Sequence, residues 1–514
     1  MKNRIMGRSL LLSAALLIVS LAGVPTLTVA QDMPQVTDEL LASFTSLIES
    51  EMAYFHIPGM GAAVVADGEI VYAQGFGVRD LESGVPFTPE TRFRIGSTTK
   101  SMTSLLVAQL VDEGLLSWDT LVKDILPDFS TVDPALTATM TVRDLMSMAT
   151  GLESDTLQGF NWGEWSVSDL MGAVAVQHQA GTYRQHYAYN NEVYALAGYA
   201  AVAAAGEVPS LGAYTALMQE RVFDPIGMTS SIITDDSGQL GDNFAQPYSI
   251  PLTDETLTPA RTINPPIAVV APAGGVWSTV EDMGRYLITQ MNGGVTPDGQ
   301  YIVSAESLAE TWAPGVAIPA DALPLPLENM AYGMGWVTLT YQGIPVRYHD
   351  GGWNGYFTQM VVFPDANVGL ILFANSTNGA LSNEALAYGF GELLYGLEPQ
   401  VVEIVRSLYN ATRVQIGMAR TMIPETTLDA ETAAPLLGEY EGGWIVTLRD
   451  DSTLWMLQGG WEFQVVPFPV AGENAFLVVN NGAEGTLVIF DMESDPAVMV
   501  IQLLDEEARF NKLP

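Results

Sequence analysis

The sequence predicts a mixed α/β chain of the α+β kind: an antiparallel sheet flanked by helices, with a helix-rich middle, followed by a small C-terminal β-barrel-like module. Three observations carry that expectation. Hydrophobic periodicity alternates between the strand and helix repeats from residue 38 to about 400. Strand-like runs stand toward both ends of that stretch, with helical runs between them. Beyond about residue 430 the helical runs stop, and short strand-like runs recur between turn residues.

In chain order, Lys2, Arg4 and Arg8 precede the apolar run Leu10 to Val24, and Thr28-Val29-Ala30 offers small residues for cleavage. Residues 1–30 therefore read as an export leader, with the mature chain starting near Gln31. An uncleaved anchor is the alternative, because the run is near the lower length limit of a span. No later stretch is long and apolar enough to cross a bilayer, so no stable membrane insertion is expected after cleavage.

The body, 31–400, opens with a helix over Asp38 to Met52. Strands Met60 to Val65 and Ile70 to Phe76 follow, joined by the turn Ala66-Asp67-Gly68. Met102, Leu105, Leu106, Gln109 and Leu110 lie at helical spacing, with Ser97 at the first turn and Gly114 at the C-terminal cap. Further helices are expected at Val142 to Met148, Val193 to Ala205, Tyr214 to Phe223, Val280 to Met291 and Leu381 to Leu397. Strands return at Gly335 to Tyr341, Phe357 to Phe363 and Val368 to Ala374. Glu153 to Ser168 and Thr234 to Ala273 read as long loops, and loops of such length are more often functional than accidental.

A linker over 401–430 contains a helix from Val401 to Ala419 and the polar run Ile423 to Pro435 begins within it. The module, 431–514, shows short strands at Trp444 to Leu448, Leu454 to Leu457, Phe463 to Val466, Phe476 to Val479, Thr486 to Phe490 and Val498 to Leu503. These suggest a partly closed up-and-down barrel. No candidate catalytic residue lies in it, so it is expected to be dispensable for the chemical step.

Composition narrows the function classes. The formal net charge is −39 from 59 acidic and 20 basic residues, and the leader carries only basic ones. Such a field repels nucleic acid and anionic membranes, and no basic cluster interrupts it. The absence of cysteine excludes disulfides, thiolate nucleophiles and thiolate zinc sites. The four histidines, His56, His178, His186 and His349, show no metal-binding spacing, so a metal enzyme is not expected.

The chemistry starts at Ser97 and Lys100. A serine hydroxyl is a poor nucleophile at neutral pH and needs a neighbour that takes its proton. On a helix, positions three apart share a face, so Lys100 can reach back to Ser97. Orphan backbone N–H groups and the helix dipole at that first turn favour a tetrahedral oxyanion. The same spacing also suits a capping serine beside a solvated lysine. Only four lysines occur, however, and one of them stands on the first turn of an apolar helix.

Six ordered motifs carry a resemblance. Phe93 to Lys100, Leu145 to Leu152, Tyr189-Asn190-Asn191, Phe223 to Met228, Pro272 to Ser278 and His349 to Tyr356 are similar to the landmarks of the serine β-lactamases and penicillin-recognising hydrolases. The class C β-lactamase-like branch, with its esterases, D-aminopeptidases and carboxypeptidases, is the nearest in pattern, over about residues 40 to 395. The C-terminal module resembles the lipocalin-like module that often follows such hydrolases.

The resemblance implies that Ser97 is the acylated nucleophile and Lys100 its proton partner, with desolvation lowering the lysine pKa. It implies that Tyr189 relays a proton to the leaving group, and that Asn191 bridges Lys100 and a substrate amide. His349, Gly351 and Gly352 fall where the family carries Lys-Thr-Gly or His-x-Gly on a strand lining the site. The Ser97 and Gly352 N–H groups would then form the oxyanion hole. With histidine in place of lysine, the charge facing a substrate carboxylate is expected to appear only as pH falls through roughly 6 to 7. Arg261, in a long loop, is the alternative source of such a charge. The expected protein is thus an exported serine hydrolase, periplasmic, cell-surface or extracellular, that needs no cofactor and acts on small ester or amide substrates as an esterase, a D-amino-acid peptidase or carboxypeptidase, or a weak β-lactamase. The competing class is a non-catalytic binding or scaffold protein on the same fold.

Overall fold

The hairpin expected at Asp67-Gly68 forms, and it opens the main sheet. Both turn residues have positive φ, 53° and 78°, the conformation a two-residue hairpin of right-handed twist requires. The structure is a computed structural model. It describes residues 34–514 apart from 154–164, 254–255, 261–267, 320–324, 424–425, 459–460, 473, 481–484 and 504–505. The leader and Arg261 lie outside the described residues, as do parts of both long loops.

Strands β1 (Gly59–Ala66) and β2 (Glu69–Gly77) pair antiparallel. The rest of the sheet comes from the C-terminal part of the body: β3 (Val316–Ala317), β4 (Leu327–Tyr332), β5 (Val337–Tyr341), β6 (Ile344–Trp353), β7 (Tyr356–Phe363) and β8 (Val368–Ala374). The eight strands lie in the order β2-β1-β8-β7-β6-β5-β4-β3, every neighbour antiparallel. All residues of β1 and β8 are buried, so both faces of the sheet centre are covered.

Opposite faces can be told apart by strand parity. A Cβ on Gly369 would meet Leu287 and Met291 of helix α4 (Val280–Met291). Five residues on, Ala374 touches Gly379 at the start of helix α5 (Gly379–Tyr395). The odd separation places α4 and α5 on different faces. Helix α1 (Asp38–Phe55) lies with α5, where Phe44 meets Phe390 edge-on with centroids 4.8 Å apart. The helix-rich part, on the other side, includes α2 (Thr99–Asp112) and α3 (Asn191–Ala204), both buried along most of their length.

Helix α6 (Val401–Thr421) leads to the C-terminal module and is tied to α1 by the ion pair of Arg406 with the fully buried Glu51. The module is an up-and-down barrel of eight strands in sequential order, from Gly438–Tyr440 to Glu506–Asn511. A bridge between Tyr440 and Lys512 brings its first and last edges together. The sequence reading found six of these strands. The first has three residues and the last begins Glu506-Glu507, so neither shows an apolar alternation. Large side chains fill the interior: Trp444, Met456, Phe463 and Ile501 help enclose a cavity of only about 10 Å³.

The barrel is joined to the body by a small apolar cluster. Leu252, beside a short hairpin of the body, packs with Val466, Leu477 and Val479 of the barrel and with Ile416, Ala419 and Ile423 around the end of α6. The Leu252 N–H donates to the Val479 carbonyl at 2.9 Å. Arg420 donates through Nε to the Leu252 carbonyl at 2.7 Å.

Candidate active site

Ser97 sits in a 3₁₀ turn, Gly96–Thr98, that runs into α2 at Thr99, rather than in the first α-helical turn itself. The turn is placed by the preceding Phe93–Arg94 strand, which pairs with Val276–Ser278. The Ile95 N–H donates to the Val276 carbonyl at 3.0 Å. Thr98 Oγ1 donates to the Ile95 carbonyl at 2.8 Å and tightens the turn from within. Gly114, φ 71°, stands just beyond the C-cap of α2, as expected.

Strand β6 supplies the opposite wall. Its pairing with β5 stops at Val337–Tyr348, whereas its pairing with β7 continues to Trp353–Tyr356. One edge of residues 349–353 therefore passes beyond β5, and the Ser97 turn packs there. The approach is backbone to backbone. Gly96 has φ 53°, and a Cβ on it would stand 2.8 Å from the Gly352 nitrogen. A Cβ on Gly351 would stand 2.0 Å from the Ile95 carbonyl oxygen. Gly351 is buried by this contact and Gly352 is exposed, so of the two expected substrate-binding glycines only Gly352 presents its backbone to the opening.

Four of the expected residues converge. Lys100 Nζ donates to Ser97 Oγ at 3.0 Å, to Asn191 Oδ1 at 2.6 Å and to the Ala273 carbonyl at 2.8 Å. Tyr189 donates its phenol proton to Ser97 Oγ at 2.7 Å. Lys100 is fully buried, with its Nζ 4.7 Å from the Tyr189 ring centroid. The solvated-lysine alternative is thereby excluded, and Ser97 is half-buried with its hydroxyl held by two proton-carrying groups.

Asn190 and Asn191 divide their work. Asn190 is the N-cap of α3, accepting from the Val193 N–H at 2.8 Å, and its amide donates to Gln177 Oε1 at 2.9 Å. Asn191, the first helical residue, is left to face Lys100.

His349 departs from expectation. It is 2 % exposed, with its ring between Tyr332 and the following peptide. Nδ1 is 2.6 Å from the Asp350 carbonyl, which can only accept, so Nδ1 carries the proton. In the neutral ring Nε2 then accepts from Tyr332 O–H at 2.9 Å. Burial, helped by the Lys100 charge against the opposing pull of Asp350, pushes its pKa down to about 4. The charge expected to grow in between pH 7 and 6 is absent, because both nitrogens are satisfied in the neutral form and water is excluded.

Residues the sequence reading did not assign complete the site. The Ala273 carbonyl lies in a recognised motif but has no side chain to mark it. Tyr332 ends a strand, Leu327–Tyr332, whose composition gives no alternating signal. Arg94 is fully buried, its guanidinium 5.3 Å from the ring centroids of both Trp277 and Trp353, and Nη2 pairs with Asp235 at 2.6 Å. Among the described residues no group of acidic and histidine side chains is arranged to hold a metal ion.

A Ser–Lys–Tyr cluster around a buried lysine, between a helix start and the edge of an antiparallel sheet, defines a hydrolase of the serine β-lactamase and penicillin-binding superfamily. The chain belongs to the family described as Beta-lactamase, whose profile matches residues 44–389. It is 26% identical over 435 residues to the Unguisins hydrolase ungD' of Aspergillus campestris, covering 81% of this chain and 78% of that protein. It is 28% identical over 404 residues to Penicillin-binding protein 4 of Amycolatopsis lactamdurans, covering 75% of this chain and 93% of that one. Among solved structures, the octameric penicillin-binding protein homologue from Pyrococcus abyssi shares the fold. Its TM-score is 0.62 at 20% identity, over 92% of this chain and 100% of that one. SurE also shares it, with TM-score 0.56 at 20% identity, over 92% of this chain and 99% of that one.

Proposed function

We propose that the protein is an exported serine hydrolase that cleaves small ester or amide substrates, D-amino-acid peptides among them, through an acyl-enzyme on Ser97. The observation that carries this reading is the hydroxyl of Ser97 standing 3.0 Å from Lys100 Nζ and 2.7 Å from the Tyr189 phenol oxygen. A capping serine needs neither partner.

In this reading Lys100, as the free amine, takes the Ser97 proton as Oγ bonds to the substrate carbonyl carbon. The carbonyl oxygen becomes an oxyanion facing the N–H groups of Ser97 and Gly352. The bond to the leaving group then breaks, and Tyr189, within reach of both Ser97 and Lys100, relays the proton to the departing oxygen or nitrogen. Water repeats the attack on the acyl-enzyme with the same groups in reverse, regenerating Ser97. Asn191 steadies Lys100 and offers its amide to the substrate.

Two relatives support the substrate range without fixing it: one is named a hydrolase of unguisins and the other a penicillin-binding protein. The neutral His349 supports a preference for uncharged ends over carboxylates near neutrality. The test is intact-mass analysis after exposure to a fluorophosphonate and to panels of esters, D-peptides and β-lactams. A single adduct that maps to Ser97 and disappears in Ser97→Ala is expected. A wild-type protein that takes no adduct from any of them overturns the reading.

A further inference from the structure

The barrel reaches the rim of the candidate site. Trp461, on its Trp461–Pro467 strand, meets Trp353 at the end of β6 with ring centroids 6.1 Å apart. Trp353 is the next residue after the exposed Gly352, and its ring covers Arg94, three residues before Ser97. On the barrel side Trp461 stacks on Phe463, with centroids 5.3 Å apart and planes 13° from parallel. An aromatic line thus runs from the barrel interior to the backbone that borders Ser97. Both indoles keep part of their surface open.

Two further observations make this contact more than an accident of docking. The barrel is registered on the body at a second place, through Leu252 with Val479 and Arg420, so the position of Trp461 is held from two sides. The barrel interior around Trp444, Met456, Phe463 and Ile501 encloses only about 10 Å³, so the large side chains there pack against one another. Trp461 shares its strand face with Phe463, which points into that interior, so its indole stands at the mouth of the barrel, where the interior aromatic row ends against Trp353.

We propose that Trp461 and Trp353 form an apolar wall of the cleft that selects substrates with an aromatic or bulky apolar group beside the scissile ester or amide, making Trp461 a specificity-determining residue supplied by the C-terminal module. This rests on the hydrolase reading above. It leaves in place the expectation that the module is dispensable for the chemical step, since it gives Trp461 a part in selection and none in bond breaking. Indole faces offer large, rigid apolar area and stack on a substrate ring at offset geometry. The Arg94 guanidinium, 5.3 Å from the Trp353 ring centroid, holds that ring by a cation–π contact.

The experiment compares kcat/KM for a matched pair of p-nitrophenyl esters, phenylacetate and acetate, in wild type, Trp461→Ala, Trp461→Phe and Trp353→Phe, all in the full chain. In Trp461→Ala the phenylacetate-to-acetate ratio is expected to fall by about tenfold or more, the scale at which one apolar contact discriminates substrates. Trp461→Phe should recover a good part of the ratio, which a purely structural role would not require. Melting temperatures report folding, and if the alanine variant fails to fold the two phenylalanine variants decide the matter through their ratios. An unchanged ratio, with fluorophosphonate labelling of Ser97 intact, overturns this inference and leaves the hydrolase reading standing. A wild type in which Ser97 does not label overturns both.

Discussion

A Cβ on Gly351 would stand 2.0 Å from the Ile95 carbonyl oxygen, so the strand bearing His349 and the turn bearing Ser97 touch through their backbones alone. At Gly352 the situation differs, since a Cβ there would meet only the edge of the Phe357 ring at 3.1 Å. Gly351→Ala should therefore push the two walls apart and slow Ser97 acylation by about 100-fold, the cost of displacing a reacting group by roughly 1 Å. Gly352→Ala should stay within about threefold, because its N–H is kept. Single-turnover labelling with a fluorophosphonate measures both. Equal losses would mean that the close approach is not what positions Ser97.

Ser97→Ala is expected to lower kcat by about 10⁴-fold, Lys100→Ala nearly as much, and the double variant hardly further, since the two act as one unit. Steady-state kinetics with a good ester substrate reads this out. Additive losses would count against a shared proton path.

The adjacent asparagines should separate stability from activity. Asn190→Ala removes the cap of α3 and should cost about 1 kcal/mol or more in urea unfolding. Asn191→Ala removes an acceptor of Lys100 and should show mainly in kcat. A reversed pattern would exchange their roles.

His349 makes two predictions about pH. Its folded pKa, about 4, lies below the ordinary value of 6.5, so the unfolded chain binds more protons between them. Its contribution to stability is therefore present above about pH 6.5 and lost as pH falls toward 4, by on the order of 1.4 kcal/mol per unit of difference. In urea unfolding from pH 7.5 to 4.5, wild type should lose more stability than His349→Gln. The preference for neutral over carboxylate-bearing substrates should stay flat from pH 7.5 to 6. A gap that closes with a midpoint near 6.5 would show that His349 gains its charge after all.

Glu384 behaves in the opposite sense. Its carboxyl oxygen Oε2 has no exposed surface and no partner among the described residues, and burial, reinforced by Asp350, pushes its pKa up to about 8. The folded state holds the extra proton, so its contribution is present below about pH 4.5 and lost as pH rises through 8. Glu384→Gln should raise the melting temperature at pH 8.5 and change it little at pH 5. No difference between the two pH values would place the carboxyl in water.

The sequence made Ser97, Lys100, Tyr189 and Asn191 legible because their side chains carry the chemistry and their spacings survive in one dimension. The main-sheet hairpin and the larger helices were legible from periodicity. The Ala273 carbonyl was not, since any residue has one. The state of His349 was not either: it depends on burial and on Tyr332, seventeen residues away on another strand. Trp461 carried no signal of its own in the sequence, because its partner, Trp353, lies more than a hundred residues earlier in the chain. Two barrel strands escaped because one is too short for a period and the other opens with acidic residues.

The hydrogen bond from the Leu252 amide to Val479 has a consequence for how the molecule opens. An amide in a connecting turn ordinarily exchanges its proton with solvent through small local openings, yet this one is held by the residue just past a barrel strand. Leu252 becomes a built-in reporter: its hydrogen-exchange rate should track separation of the barrel from the body rather than breathing of its own turn.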